Sequence, residues 1–509
     1  MTGQSGVPTR DTTRAAIRRL RVYDVTLYRT PMPERRFTFS YLRHYLPYVL
    51  LILVFIAGVW IILTLGSRLS PASAPAVTNT PAAITSLTTT LKENFRNPLS
   101  VLLLQIIVII IMAGLFGRLF RRLRQPPVMG EMVAGIVLGP SVLGFFFPDA
   151  MGFLFPPQSL ETLRLLSQIG VVFFMFVVGM ELNVRHVRER GSASVMISHA
   201  SIVVPFLLGS GLSLFLYREL APPETSFSAF ALFIGVAMSI TAFPVLARIL
   251  DDRGLTQTHL GSIALTCAAV DDVTAWCILA LVIAIVNATG VIVSLATVLF
   301  TLLFALAMLF FVRTWLDRMV KEIPSSTLHT RRLIAGMLGL VLASALITET
   351  IGIHALFGAF IAGVVMPSSI EFRGFLKEKI ETFSSAALLP LFFAFTGLRT
   401  QVGLLNDWQS WAWCGVIILV AIAGKLGGSM LMSRWTGMSW SDSFAIGALM
   451  NTRGLVELVV LNIGYDLGIL SGRIFAMMVL MALVTTFMTG PLIALVKMEH
   501  RATEVAQAA

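Results

Sequence analysis

Residues 265–277 read Leu-Thr-Cys-Ala-Ala-Val-Asp-Asp-Val-Thr-Ala-Trp-Cys, which places Asp271 and Asp272 in the middle of an apolar run extending from 259 to 286. The run is longer than the roughly 20 residues needed to cross a hydrocarbon core. A single charge at mid-membrane costs about 2.5 to 3.5 kcal/mol on insertion scales, so two adjacent acids require a partner or a purpose. Successive helical positions are about 100° apart, so the two carboxylates cannot face the same partner. One can meet a basic residue while the other faces a cavity that opens to water.

Working outward, the whole chain shares the character of that run. Its 509 residues are 56% hydrophobic and only 13% charged, with a mean hydropathy of +0.84. A water-soluble globule of that composition would expose large apolar patches. Apolar runs recur at 45 to 66, 98 to 120, 127 to 144, 160 to 181, 194 to 217, 227 to 249, 259 to 286 and 291 to 312. They continue at 332 to 350, 353 to 367, 383 to 399, 411 to 433, 441 to 463 and 473 to 496. The length rule predicts an all-α polytopic membrane protein with about fourteen transmembrane helices.

The net charge of +11 does not point to nucleic acid, because the arginines flank apolar segments instead of lining one soluble face. They orient the chain. Arg14, Arg18, Arg19, Arg21, Arg35, Arg36 and Arg43 precede the first run, so residues 1–44 read as a basic cytoplasmic tail. The even helix count returns the tail at 497–509 to the same side. Arg121-Arg122, the stretches 185–190 and 313–332, and 373–379 then all fall in the cytoplasm. The small-residue stretch Ser70-Pro71-Ala72-Ser73-Ala74 is not read as a signal cleavage site, since the preceding run is long enough to span. Residues 67–97 form an outer linker, and 45–66 an extra N-terminal span ahead of a membrane domain at 98–496. Cys267, Cys277 and Cys414 all sit in apolar runs and read as small core hydrophobes, not as a disulfide or zinc framework.

Two runs are poor continuous helices. In 227 to 249, Ser239-Ile240-Thr241-Ala242-Phe243-Pro244 sets a proline beside two hydroxyls, and in 441 to 463, Asn451-Thr452-Arg453-Gly454 interrupts the apolar pattern. Interrupted helices in corresponding places of two halves point to a transporter's midplane site, whose backbone carbonyls and half-helix ends supply ion ligands. Two buried bases can answer the acids. Lys425 lies among Gly424, Gly427 and Gly428, small residues that allow close helix approach. Lysine loses its proton readily when buried whereas arginine does not, so Lys425 is the candidate titrating partner and Arg453, with Glu457 one turn on, a fixed counter-charge. The competing reading is that these charges merely hold helices in register. Glu349 and His354, near a span boundary, are expected to be locally satisfied, and Glu131 and Glu181 to pair with arginines at helix ends. No phosphate loop, nucleotide fingerprint, zinc spacing or Ser/His/Asp arrangement competes. The chain therefore reads as no enzyme and as needing no cofactor.

Four segments carry a further signal: SITAFPVLARIL at 239–250, AAVDDVTAW at 268–276, IGIHALFGAFIAG at 351–363 and LMNTRGLVELVVL at 449–461. In order, and with Gly130-Glu131-Met132, Gly135 and Gly139-Pro140 ahead of them, they closely resemble the monovalent cation/proton antiporter superfamily. The resemblance is to its cation:proton antiporter 2 type, especially plant cation/proton exchangers and bacterial sodium or potassium/proton antiporters. It covers roughly 98 to 496. It implies an inverted-repeat sodium/proton antiporter fold, a homodimer in which a six-helix core moves against a scaffold, and two broken helices crossing beside the aspartates. By the same resemblance Asp272 binds the monovalent cation, with Thr241 and Ser239 helping, and Asp271 pairs with Lys425. Pro244, Asn451, Thr452 and Gly454 become the broken-helix positions. Potassium or sodium ions and protons are the transported partners, across what the resemblance makes a bacterial inner membrane. The extra span at 45–66 departs from the family pattern, and the cytosolic regulatory and nucleotide-binding regions of some relatives have no counterpart after 496. If Lys425 releases its proton when the cation binds, two protons exchange per cation, and otherwise one. The rivals are a monovalent cation channel and a non-transporting sensor with the same fold.

Overall fold

Inside hydrocarbon no water is present to satisfy backbone amides, so apolar runs of this length close their hydrogen bonds internally as helices. The computed structural model describes residues 40–66, 94–95, 97–181, 191–256, 258–287, 291–322, 331–367 and 369–508, and all regular structure among them is helical. The chain divides into two units, Met1–Ser86 and Leu87–Ala509. The first contains α1, Ser40–Gly66, whose sequence after Arg43 and His44 is almost wholly apolar. Most of the basic tail, the linker residues 67–93 and the arginines at 185–190 lie outside the described residues.

In the second unit, α2 (Pro98–Arg122), α3 (Pro127–Leu138) and α4 (Pro157–Glu181) come first. Helix α5 (Gly191–Leu220) precedes the half-helices α6 (Phe227–Ser239) and α7 (Phe243–Asp252), and α8 (His259–Asn287) carries the aspartates. Next come α9 (Val291–Leu306), α10 (Arg331–Ile351) and α11 (Ala355–Val364). Helix α12 (Ile370–Phe383) runs through a π turn into α13 (Leu389–Arg399). Helix α14 (Trp408–Ile422) runs through a second π turn, Ala423–Gly427, into α15 (Gly428–Trp435). The last three are α16 (Trp440–Met450), α17 (Leu455–Asp466) and α18 (Gly472–Ala508).

Eleven of the described helical stretches are long and apolar enough to span, and the bent pair α16–α17, turning by 44°, makes a twelfth. The chain is an integral membrane protein. The expected count of about fourteen is not confirmed. The run at 353–367 contributes only the shorter apolar helix Ala355–Val364 by the same length test, whereas the run at 45–66 lies within the 27-residue α1. Helix α11 is short because Gly352 and His354 both take positive φ, 95° and 94°, which ends α10 at Ile351. Glu349 accepts a hydrogen bond from the Ala355 amide at 2.6 Å and His354 Nδ1 one from the Leu356 amide. Both side chains thus serve that corner locally. Outward-facing leucines, isoleucines and phenylalanines of α2 and α9, such as Leu103, Ile111, Leu299 and Phe300, are exposed, as a lipid-facing surface requires.

Two packed groups emerge. Helix α5 packs on α6, α8, α14 and α15, and α16 packs on α8, α15 and α18. Separately, α3 packs on α2 and α13, and α4 packs on α11 and α13. The glycine-rich helix α3 meets α13 backbone to backbone, where a Cβ on Gly135 would lie 2.6 Å from the Ala394 Cα.

Three expectations about charged and sulfur side chains change. Among the described residues Glu131 makes no ion pair, and Glu181 pairs with Lys377 instead of an arginine. Helix α3 places no arginine within reach of Glu131, whereas α12 carries Lys377 to the end of α4. Cys267 and Cys414 are buried and free, but Cys277 is free and exposed, because it lies five residues beyond Asp272 on a different face of α8.

Candidate cation and proton site

The site begins with two breaks. Helix α6 stops at Ser239, Ile240 and Ala242 take extended backbone angles, and α7 restarts at Phe243. Pro244 therefore does not kink a continuous helix. It sits in the first turn of α7, where its missing N–H costs nothing. The second break, Asn451 to Gly454, separates α16 from α17. The two unwound segments touch, since the Ala242 amide donates to the Thr452 carbonyl at 3.1 Å and Thr241 Oγ1 lies 3.4 Å from the Met450 carbonyl. Each break exposes carbonyls that a continuous helix would have consumed.

Two buried cations take up those carbonyls. Arg453 donates to the carbonyls of Ala237 and Met238 at 2.8 and 2.7 Å, and Lys425 donates to that of Ser239. The C-terminal end of α6, the negative end of its dipole, is thus covered by positive charge. Arg453 also lies 3.4 Å from Glu457 Oε1 in the first turn of α17. Helix α18 braces the second break: Thr486 receives the Arg453 amide and donates to its carbonyl, both at 2.9 Å.

The aspartates occupy unlike surroundings. Asp271 accepts from Ser198 and, at 2.8 and 2.7 Å, from Ser201 and Thr241. Its Oδ2 lies 3.1 Å from Lys425 Nζ. Lys425 additionally donates to the Ser201 carbonyl at 2.9 Å and Ser201 Oγ at 2.8 Å. Asp272, equally buried, has no hydrogen bond of ordinary geometry on either oxygen among the described residues, and the one backbone amide that acts on it is that of Phe243 at the start of α7. An unpaired buried carboxylate is costly and calls for a cation or a proton. The carboxylate oxygen is a hard donor that suits an alkali-metal ion. One turn along α8, Trp276 stacks on Phe360 of α11 with ring centroids 6.1 Å apart.

Of the residues singled out from sequence, Asp271, Thr241, Lys425 and the Ser239 carbonyl come together in one network. The Ser239 hydroxyl does not join it, donating back to the Gly235 carbonyl at 2.6 Å. Asn451 Oδ1 and Thr452 Oγ1 are buried and unsatisfied, and Gly454 packs so closely that a Cβ there would lie 2.6 Å from Val245 Cγ2. Ser198, Ser201 and the α18 threonines were not anticipated. A signal existed, since Ser194, Ser198 and Ser201 follow helical spacing along an otherwise apolar run and are all buried.

Lys425 reaches this point because its segment lies against α5. A Cβ on Gly424 would come within 2.8 Å of the Pro205 Cα, and one on Gly428 within 2.9 Å of the Val204 Cβ. Gly424→Leu is therefore expected to destabilise the protein by about 1 to 3 kcal/mol through overpacking, read as a lowered melting temperature in detergent. An unchanged melting temperature would mean that the π turn after α14 does not approach α5 so closely.

Neither aspartate reaches solvent in this arrangement. A cavity of about 700 Å³ opens farther along α8, lined by Ile283 there, by Ile463 and Asp466 of α17, and by Arg164, Glu349 and His354. Ile283 lies eleven residues past Asp272, roughly 16 Å along a helix. The expected water-filled approach thus stops short, and the site is occluded.

Residues 106–498 match the family described as "Sodium/hydrogen exchanger, transmembrane". The Na(+)/H(+) antiporter NhaS4 of Synechocystis is 45% identical over 398 residues, covering 78% of this chain and 97% of that protein. Cation/H(+) antiporter 17 of Arabidopsis thaliana is 43% identical over 78% of this chain and 48% of its own length. K(+)/H(+) antiporter 1 of Saccharomyces cerevisiae is 33% identical over 82% and 49%. The chain thus spans nearly all of the cyanobacterial relative and about half of the plant and yeast ones. The solved sodium proton antiporter MjNhaP1 of Methanocaldococcus jannaschii shares the fold, with a TM-score of 0.55 at 13% identity over 76% of this chain and 94% of that one. The resemblance read from the four sequence segments holds, and the chain belongs to the sodium/hydrogen exchanger transmembrane family.

Proposed function

We propose that this protein is a secondary antiporter that exchanges a monovalent metal cation, sodium or potassium, for protons by alternating access, with Asp272 as the shared site. The observation that carries the reading is the fully buried Asp272 carboxylate without a hydrogen bond of ordinary geometry, beside two crossing broken helices. Metal ion and proton each neutralise that carboxylate, and both cannot do so at once. Competition then enforces exchange, because the charged empty site crosses the membrane centre at a higher cost than either loaded form.

Thr241 and the unwound carbonyls are the proposed helpers in holding the metal, and Asp271 with Lys425 the framework that positions them. The relatives' names agree on the proton and differ on the metal, naming sodium in the cyanobacterial protein, potassium in the yeast one and a cation in the plant one. The core in this reading is the group of helices around α5, α6, α8 and α17, moving against α3, α4 and α13 in a homodimer. The seam between them contains the cavity at Asp466, where Arg399 holds Asp466 at 2.7 Å. In this reading both termini are cytoplasmic, as the arginine distribution favours, and the membrane is a bacterial inner membrane.

In proteoliposomes carrying an imposed pH gradient, sodium or potassium should collapse the gradient and lithium or rubidium should rank differently. The apparent affinity for the metal should fall as the medium is acidified. Metal flux that ignores the pH gradient would instead identify a channel, and absence of any flux a protein that only retains the fold.

A further inference from the structure

The buried Asp, Glu, Lys and Arg side chains among the described residues are five: Asp271, Asp272, Glu457, Lys425 and Arg453. They form one cluster. Lys425 binds Asp271, Arg453 lies beside Glu457, and both bases cap α6. Lys425 has four acceptors within 3.1 Å, namely Ser201 Oγ, the carbonyls of Ser201 and Ser239, and Asp271. An ammonium group supplies three donors and no acceptor, so this surround matches the charged form. Arginine stays charged in proteins. Three carboxylates against two cations leave one net negative charge.

Building on the antiport reading, we infer that Glu457, paired with Arg453, sets the coupling ratio by keeping the buried cluster one positive charge short of neutral. One metal ion or one proton on Asp272 makes the cluster neutral, and the empty cluster stays charged. The exchange is then one for one and moves no net charge. Without Glu457's charge the balance inverts: the empty cluster is neutral and returns without cargo, whereas the loaded one carries a positive charge that responds to voltage. Glu457 is in this sense a positioning charge. Its Oε1 lies 3.4 Å from Arg453 Nη1, an ion pair that favours the charged carboxylate, while that guanidinium also serves the carbonyls of Ala237 and Met238.

The test reconstitutes the full chain and measures pH-gradient dissipation, its response to a potassium diffusion potential, and current on a solid-supported membrane. Wild type should exchange without net charge movement. Glu457→Gln should show cation-dependent current and a counter-ion-free leak at least about tenfold above wild type, while Glu457→Asp keeps the one-for-one ratio whatever its rate. Removing both charges, Arg453→Gln with Glu457→Gln, restores the count and should abolish the current. A purely structural ion pair predicts lower yield in all these variants with the ratio unchanged. A Glu457→Gln protein that still exchanges one for one without current overturns the inference. So does net charge movement by wild type, a measurement that stands even if no variant inserts. Wild type that does not couple metal flux to protons at all sinks the antiport reading itself, which distinguishes that failure from the other two.

Discussion

Asp272→Asn is expected to lower cation-driven proton movement by a hundredfold or more while leaving the melting temperature equal to or above that of wild type. The two halves of this expectation have separate physical grounds. The loss follows because, of the two site aspartates, only Asp272 is uncommitted, so no second carboxylate takes its place; Asp271 is already held by four donors. Removing one member of a buried charge pair costs about 3 to 5 kcal/mol, and each 1.4 kcal/mol is a factor of ten in affinity. The retained stability follows because the carboxylate makes no hydrogen bond of ordinary geometry, and an asparagine oxygen can still accept from the Phe243 amide that acts on it. The substitution also removes an uncompensated buried charge. Pyranine-loaded proteoliposomes and thermal unfolding in detergent measure the two halves. Normal exchange would remove Asp272 from the site, and a melting temperature lowered by many degrees would show that its oxygens have partners in the folded protein.

Sequence alone revealed the helices and the breaks because both are written in local patterns. A twenty-residue apolar run has few alternatives in a membrane, and Ser239 to Pro244 and Asn451 to Gly454 interrupt such runs visibly. Less of the environment was legible. That Ser198 and Ser201 converge on Asp271 depends on where α5 lies across α8, a tertiary fact that the serine spacing suggests only after the acid is placed. The Ser239 assignment shows the same limit from the other side. Its residue type suited a ligand, but at the last turn of α6 its hydroxyl is drawn back to the Gly235 carbonyl, a common habit of helical serines. Thus the backbone carbonyl enters the network and the side chain does not. Helix length was misjudged at 353–367 because composition cannot reveal a corner set by the positive φ of Gly352 and His354. Occlusion was also illegible, since access to water is a property of the packed seam between α8, α17 and α4.

Lys425→Met carries the largest expected cost in stability. The lysine side chain is fully buried, with its ammonium among Asp271, Ser201 and Ser239, and methionine fills a similar volume without the charge. Asp271 keeps its three hydroxyl donors but loses its counter-charge, and the Ser239 carbonyl at the end of α6 loses its donor. Breaking a buried pair from one side costs about 3 to 5 kcal/mol, enough to consume much of a typical domain's net stability. The cost arises from the stranded Asp271 more than from the lost attraction. Lys425→Met combined with Asp271→Asn should therefore recover a large part of it, even though two charges are then missing. The comparison separates electrostatics from packing, because a methionine that merely fits badly would be equally harmful in both backgrounds. Thermal unfolding of the four proteins in a double-mutant cycle measures the coupling, and a coupling near zero would mean that Lys425 and Asp271 do not share a charge balance.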